Sequence, residues 1–128
     1  MERLRVAFLV SNNGTSFRAV NDAIEQKRLH AEAVVLISNK ATASALVYAE
    51  EHGIPCFHIP TKDMEELADR RLRQTLVEYG AELIVLSGYL RKLGPLTLDA
   101  FERRILNVHP GLLPQYGGLG MYGRRVHQ

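Results

Sequence analysis

A chain of 128 residues is one domain at most. Its 46% apolar share is ordinary for a soluble globular chain, and a net charge of +2 without long like-sign runs argues for neither nucleic acid nor an anionic membrane as partner. The single cysteine, Cys56, excludes an internal disulfide and a metal site built on cysteine pairs, and it suits a reducing cytoplasm; Arg3-Leu4-Arg5 is too charged for a signal-peptide core, and no apolar run reaches membrane-spanning length.

Arg5–Val10 is a continuous apolar run, the pattern of a strand covered on both faces in a parallel sheet. Ser11-Asn12-Asn13-Gly14-Thr15-Ser16 follows, and then a helical stripe of Phe17, Val20, Ala23 and Ile24, with Thr15 or Ser16 expected as N-cap. A strand, a glycine-containing loop and a helix N-terminus offer free N–H groups to an anion, a phosphate above all. The loop has neither the Gly-x-Gly-x-x-Gly nor the Gly-Lys-Ser/Thr pattern, so an ordinary βα turn is the competing reading. Ala31–Ser38 reads as the second strand, Ala41–His52 as an alanine-rich helix, and Gly53 as the left-handed residue after it. Lys40 is a solvated charge or a minor contributor to the field near a phosphate.

Ile54–Ile59, with its early Pro55, reads as a peripheral strand, in which Cys56 is a small apolar filler and His58 a surface side chain. Asp63–Tyr79 reads as a long amphipathic helix with Leu67, Leu72, Leu76 and Val77 inward, capped by Asp63 with Glu66 as its capping-box partner and closed by Gly80. Glu82–Ser87 is the next buried strand. The loop Gly88-Tyr89-Leu90-Arg91-Lys92-Leu93 makes either a slot for a flat heterocycle or a simple link over the core. Pro95–Arg103 is a short helix leading to a strand over Ile105–Val108.

That last strand carries Asn107 and His109, which alternation places on the same face. Pro110 ends the ladder because it has no N–H. A carboxamide can hold a developing oxyanion, and an imidazole can move a proton near neutral pH; together they suit acyl chemistry. A turn-capping Asn beside a structurally satisfied His is the alternative. After Pro114 the chain reads as a mobile glycine-rich loop, with a helix beginning at Met121. The repeated strand–loop–helix succession predicts a right-handed, doubly wound parallel sheet, with the three candidate loops on one rim beyond the strand ends.

Leu106-Asn107-Val108-His109-Pro110-Gly111-Leu112-Leu113-Pro114 resembles the signature of the folate-dependent formyltransferases. The loop over 11–16 is similar to the phosphate loop of the family members that act on glycinamide ribonucleotide, apart from Asn12 in place of a Gly and Ser16 where Asn is frequent. Ser38-Asn39-Lys40 and Gly88–Leu93 match the same group. The resemblance implies a Rossmann-like formyltransferase fold. It implies transfer of a formyl group from 10-formyltetrahydrofolate to the amine of glycinamide ribonucleotide, a step of de novo purine biosynthesis, with no metal or redox cofactor. By the same likeness Asn107 would hold the oxyanion and His109 act as general acid. Asn13, Gly14, Thr15 and Ser16 would hold the substrate phosphate, and Leu90, Arg91, Lys92 and Leu93 would line the pterin pocket together with Asn107.

A basic folate contact that the family places near the start of the helix after Asp63 has no counterpart in Met64-Glu65-Glu66. The family's histidine-orienting Asp, further along the chain, is matched by no residue here. The resemblance therefore implies that residues 1–128 form a single N-terminal formyltransferase domain, cut short in the loop and helix after 115, with weak phosphoribosyl binding and poor turnover in this form. Expected partners are the two small-molecule substrates, with no nucleic acid and no membrane, in a cytoplasmic monomer or homodimer. Rival readings are a formyltetrahydrofolate hydrolase, a methionyl-tRNA formyltransferase, and a non-catalytic phosphate-binding module of the same fold.

Overall fold

The computed structural model describes residues 2–108 and 119–121. The elements run β1 (Leu4–Val10), α1 (Thr15–Glu25), β2 (Ala31–Ser38), α2 (Ser44–Glu51), β3 (Cys56–His58), α3 (Glu65–Glu78), β4 (Leu83–Ser87), α4 (Pro95–Ala100), β5 (Ile105–Val108) and β6 (Leu119–Met121). They build a six-stranded sheet in the order β3-β2-β1-β4-β5-β6. The first five strands are parallel, and β6 closes one edge antiparallel to β5. This is the expected doubly wound sheet.

Both faces are covered. On one, Phe17 of α1 and Ala45 and Ala49 of α2 pack on Phe8, Val10 and Leu36. On the other, Leu72 and Leu76 of α3 and Phe101 pack on Leu9, Ile37 and Ile84. The continuous apolar run of β1 is the consequence: Val6 to Val10 are all 3% exposed or less because neither side of the central strand meets water. β3 lies at the sheet edge, with Phe57 and His58 exposed, as its proline predicts. Among the described residues no helix is long and apolar enough to cross a membrane.

Several local expectations are corrected. α1 is capped by Gly14 in the left-handed conformation, with no side-chain cap, so Thr15 and Ser16 are the first helical residues and not caps. α2 is shorter than expected and starts at Ser44, while Gly53 has the expected left-handed φ of +72°. Asp63 is not a cap: it has φ +62°, and α3 begins at Glu65 after Met64, again without a side-chain cap bond. The inward stripe of α3 is Ala68, Asp69, Leu72 and Leu76; Val77 is 61% exposed, because one further residue turns about 100° away from that stripe. Leu119–Met121, expected as loop and helix start, forms β6, since the free edge of β5 offers an unpaired ladder.

Asp69 is a buried connector. Its carboxylate accepts from Leu96 N (2.9 Å), Thr97 N (2.9 Å) and Thr97 Oγ1 (2.7 Å), capping α4 from α3. Gly94 makes this possible: a Cβ there would lie 2.4 Å from Asp69 Cγ and Oδ2. Asp69→Ala is expected to lower the unfolding free energy by about 2–3 kcal/mol, the loss of a cap plus buried N–H groups left unsatisfied. Urea denaturation checks this, and Gly94→Ala should destabilise in the same direction.

Candidate active site

The strand order reverses between β1 and β4, whose outgoing connections cover opposite faces. At that reversal the loops after the two strands part and leave a crevice, the usual ligand position in this architecture. A cavity of about 170 Å³ lies there, lined by Asn12, Asn13, Gly14, Thr15, Ser16, Ser87 and Gly88. The loop after β1 and the end of β4 therefore line one cavity.

The loop's backbone explains its chemistry. Asn12 O accepts from Ala45 N (3.2 Å), Asn13 O from Arg18 Nε (2.8 Å), and Gly14 O from Arg18 N (2.8 Å). A trans peptide points its N–H opposite its C=O, so tying these carbonyls inward turns the following amides outward. The N–H groups of Asn13, Gly14, Thr15 and Ser16 find no acceptor among the described residues. Four such amides at the start of α1, with the helix dipole behind them, have the chemistry to receive an anion. Ser44 Oγ donates to Asn13 Oδ1 (2.8 Å) and accepts from Arg18 Nη2 (3.0 Å), fixing the loop against α2. Lys40 Nζ reaches Asn12 Oδ1 at 3.4 Å while staying exposed, so its charge is solvated and near the loop at once.

Ser87 was missed by sequence reasoning. It is 3% exposed, accepts from Phe17 N (2.9 Å), and lies 2.7 Å from Ser16 Oγ. Arg18 and Ser11 were missed too; Ser11 Oγ accepts from Leu90 N (2.8 Å) and donates to Asn39 Oδ1 (2.6 Å). A signal was present: the apolar runs of β1, β2 and β4 each end in a serine, Ser11, Ser38 and Ser87, all buried. A hydroxyl where a buried strand opens into a loop satisfies the loop's backbone.

Beside the smaller cavity lies a larger pocket of about 410 Å³, between the 90–94 segment and α3; Thr61, Ala68, Asp69 and Leu72 form its far wall. Its size is within the usual range for small-molecule sites. Leu90, Arg91, Lys92 and Leu93 all line it. The Leu90 amide is bonded to Ser11, so this backbone donor is engaged within the protein. The Leu90 side chain is 66% exposed, and Arg91 pairs with Glu65 at 3.5 Å on the pocket rim.

Asn107 is half-buried near the end of β5, paired with Leu86, one residue before the level of Ser87. Alternation puts it on the face of Ile105, which packs with Leu72 and Leu93 of the larger pocket's wall. β4 separates β5 from β1, so the two strands stand roughly 10 Å apart at an ordinary strand spacing of about 4.8 Å, while the start of α1 leans onto the intervening β4 through Ser87. His109 lies outside the described residues.

A supporting network backs the loop. The Arg18 guanidinium lies 4.9 Å from the Tyr48 ring centroid, Tyr48 stacks on His52 at 3.9 Å, and His52 Nδ1 is 2.7 Å from Glu25 Oε2. The His52 hydrogen bond, helped by one from Asn21 and by the His52 charge against a partial burial effect, holds the Glu25 carboxyl below its ordinary range. Cys56 is the opposite case: burial, then the Glu50 charge, pushes its thiol up, as suits a filler and not a nucleophile.

These features define an α/β domain in which the glycine-containing loop after β1 and a pocket of small-molecule size share the switch-point rim of a doubly wound sheet. Residues 4–128 match the formyl transferase family, and the chain belongs to it. It is 37% identical to the chloroplastic phosphoribosylglycinamide formyltransferase of Vigna unguiculata, over 100% of this chain and 42% of that protein. The structure superposes with a TM-score of 0.80 and 34% identity on glycinamide ribonucleotide transformylase 1 from Symbiobacterium toebii, covering 89% of this chain and 55% of that one. A formyltetrahydrofolate deformylase from Pseudomonas putida KT2440 is more distant, at a TM-score of 0.76 and 25% identity over 84% of this chain and 38% of that one. The chain thus spans about half the length, or less, of these relatives.

Two measurements test the geometry. Gly14 has φ +64°, and an added Cβ would lie 3.2 Å from Ala45 Cβ and Val10 Cγ1 and 3.3 Å from Phe17 Cδ2. Gly14→Ala should therefore reduce stability by about 1–2 kcal/mol in denaturant titration. In an NMR pH titration Glu25 should ionise below the ordinary glutamate value of about 4.3, and His52→Ala should move it back up. Because the folded value is the depressed one, the Glu25 contribution to stability is present above the ordinary pKa and is lost as pH falls through the folded value.

Proposed function

We propose that this chain is the phosphate- and folate-facing part of a phosphoribosylglycinamide formyltransferase, with residues 1–128 as its N-terminal domain portion. The observation that carries the reading is the set of outward amides from Asn13 to Ser16 opening on the same rim as the pocket lined by Leu90–Leu93. In this reading Asn13, Gly14, Thr15 and Ser16 hold the phosphate of glycinamide ribonucleotide. Leu90, Arg91, Lys92 and Leu93 flank the pterin of 10-formyltetrahydrofolate, and Asn107 reaches the formyl group from the neighbouring strand. The setting is the cytoplasm, consistent with a lone unreactive thiol.

The substrate amine attacks the formyl carbon, and the carbonyl oxygen takes up negative charge. Asn107 donates an amide N–H to that oxygen. The bond from carbon to the folate nitrogen then breaks; His109 gives that nitrogen a proton, and the attacking amine releases one to water, which leaves a neutral amide product and a neutral imidazole to be reprotonated from solvent. General acid help and a single oxyanion donor are each worth about two to four and two to three decades in rate, respectively.

His109→Ala in the full chain tests the assignment. Turnover should fall by about 10²–10⁴-fold, while calorimetry shows glycinamide ribonucleotide binding unchanged within a few fold; undiminished turnover would refute the role. The substrate is tested in the same assay. Folate consumption should require the ribonucleotide, whereas formate release in its absence would move the reading to the hydrolase.

A further inference from the structure

The cavity at the switch point holds a pair of hydroxyls that come from different loops. Ser16 Oγ, in the first turn of α1, and Ser87 Oγ, at the end of β4, are 2.7 Å apart, and Phe17 N donates to Ser87 Oγ at 2.9 Å. Both side chains line the 170 Å³ cavity, and Ser87 is 3% exposed. Two hydroxyls carry two protons between them. One proton lies in the bond between the oxygens, whichever residue donates it. The Phe17 N–H occupies an acceptor position of Ser87 and uses no hydroxyl proton. The second hydroxyl proton has no acceptor among the described residues. Set on the cavity lining, that hydrogen is available to whatever fills the cavity.

We propose that Ser16 and Ser87 form one donor unit that always presents a single O–H to a phosphate monoester group in this cavity, which makes Ser87 a ligand-contacting residue. The proposal rests on the phosphate reading above and extends it across the sheet, from the loop after β1 to the end of β4. The surrounding amides hold the anion's charge through fixed backbone donors. The hydroxyl pair adds a donor that can rotate. If Ser87 donates to Ser16, the Ser16 proton faces the ligand; if Ser16 donates to Ser87, the Ser87 proton does. The two arrangements exchange by turning two rotors, so the unit follows the oxygen that lies nearest. The pair also closes the gap between the loops without engaging any of the four outward amides.

Proton counting makes a sharp prediction. Removing either hydroxyl frees the other from the pair, so one O–H remains for the ligand. Removing both leaves none. The probe is ribose 5-phosphate, titrated into the full chain by calorimetry, with thermal melts run in parallel. Ser16→Ala, which changes a half-exposed residue and leaves the core intact, should keep affinity within about threefold. Ser87→Ala should do the same, although it unpairs the Phe17 amide and lowers the melting temperature. The double variant should lose about tenfold, the size of one hydrogen bond to a charged group. Full loss in Ser16→Ala alone would show that Ser87 does not substitute and would overturn the proposal. So would a double variant that binds like the wild type. A wild-type chain that binds no ribose 5-phosphate would remove the phosphate reading itself, and this proposal with it.

Discussion

Gly14 occupies a backbone position that excludes a side chain on two counts, a left-handed φ of +64° and three neighbours within 3.3 Å of any Cβ. The site depends on this turn. It lets β1 end, reverse and feed α1 within four residues, while the carbonyls of Asn12, Asn13 and Gly14 fold back onto α2 and Arg18. The amides then have nowhere to point but outward. The positive field at this turn comes from peptide dipoles and not from cationic side chains, so it does not require a high net charge, and the chain's is only +2.

The second feature of the rim is that its loops are bonded to one another. Ser11 takes the Leu90 amide, and Ser87 takes the Phe17 amide. Each bond crosses from the β1 side to the β4 side, in opposite directions. The smaller cavity and the larger pocket are thereby built from the same few contacts, and displacing one loop would disturb both. The larger pocket shares its wall with the fold's own buried connector: Asp69 caps α4 and also lines the pocket beside Gly94. The Arg91–Glu65 pair on the rim is of a different kind. Both partners are well exposed, and such pairs contribute between zero and about 1 kcal/mol, so it constrains the pocket mouth weakly.

The framework and much of the site were legible in the chain itself. Continuous apolar runs identified β1, β2 and β4 because burial on both faces leaves no polar alternation to obscure them. Pro55 marked the edge strand, and the spacing of loops after strands placed 13–16 and 90–93 on one rim. Local capping was read less well. Thr15, Ser16 and Asp63 have the right chemistry for caps, but Gly14 caps α1, and Asp63 is turned into a left-handed residue before α3 starts.

What the sequence by itself determined was therefore set by burial and chain order: which segments are strands, how they connect, and which loops share one rim of the sheet. Only the tertiary structure decided which polar groups meet. Ser87 lies 71 residues from Ser16, Leu90 79 from Ser11, and Asp69 28 from Thr97. A side chain's partner at that separation depends on the register of β4 against β1 and the packing of α3 against α4, neither of which leaves a periodic trace in the chain.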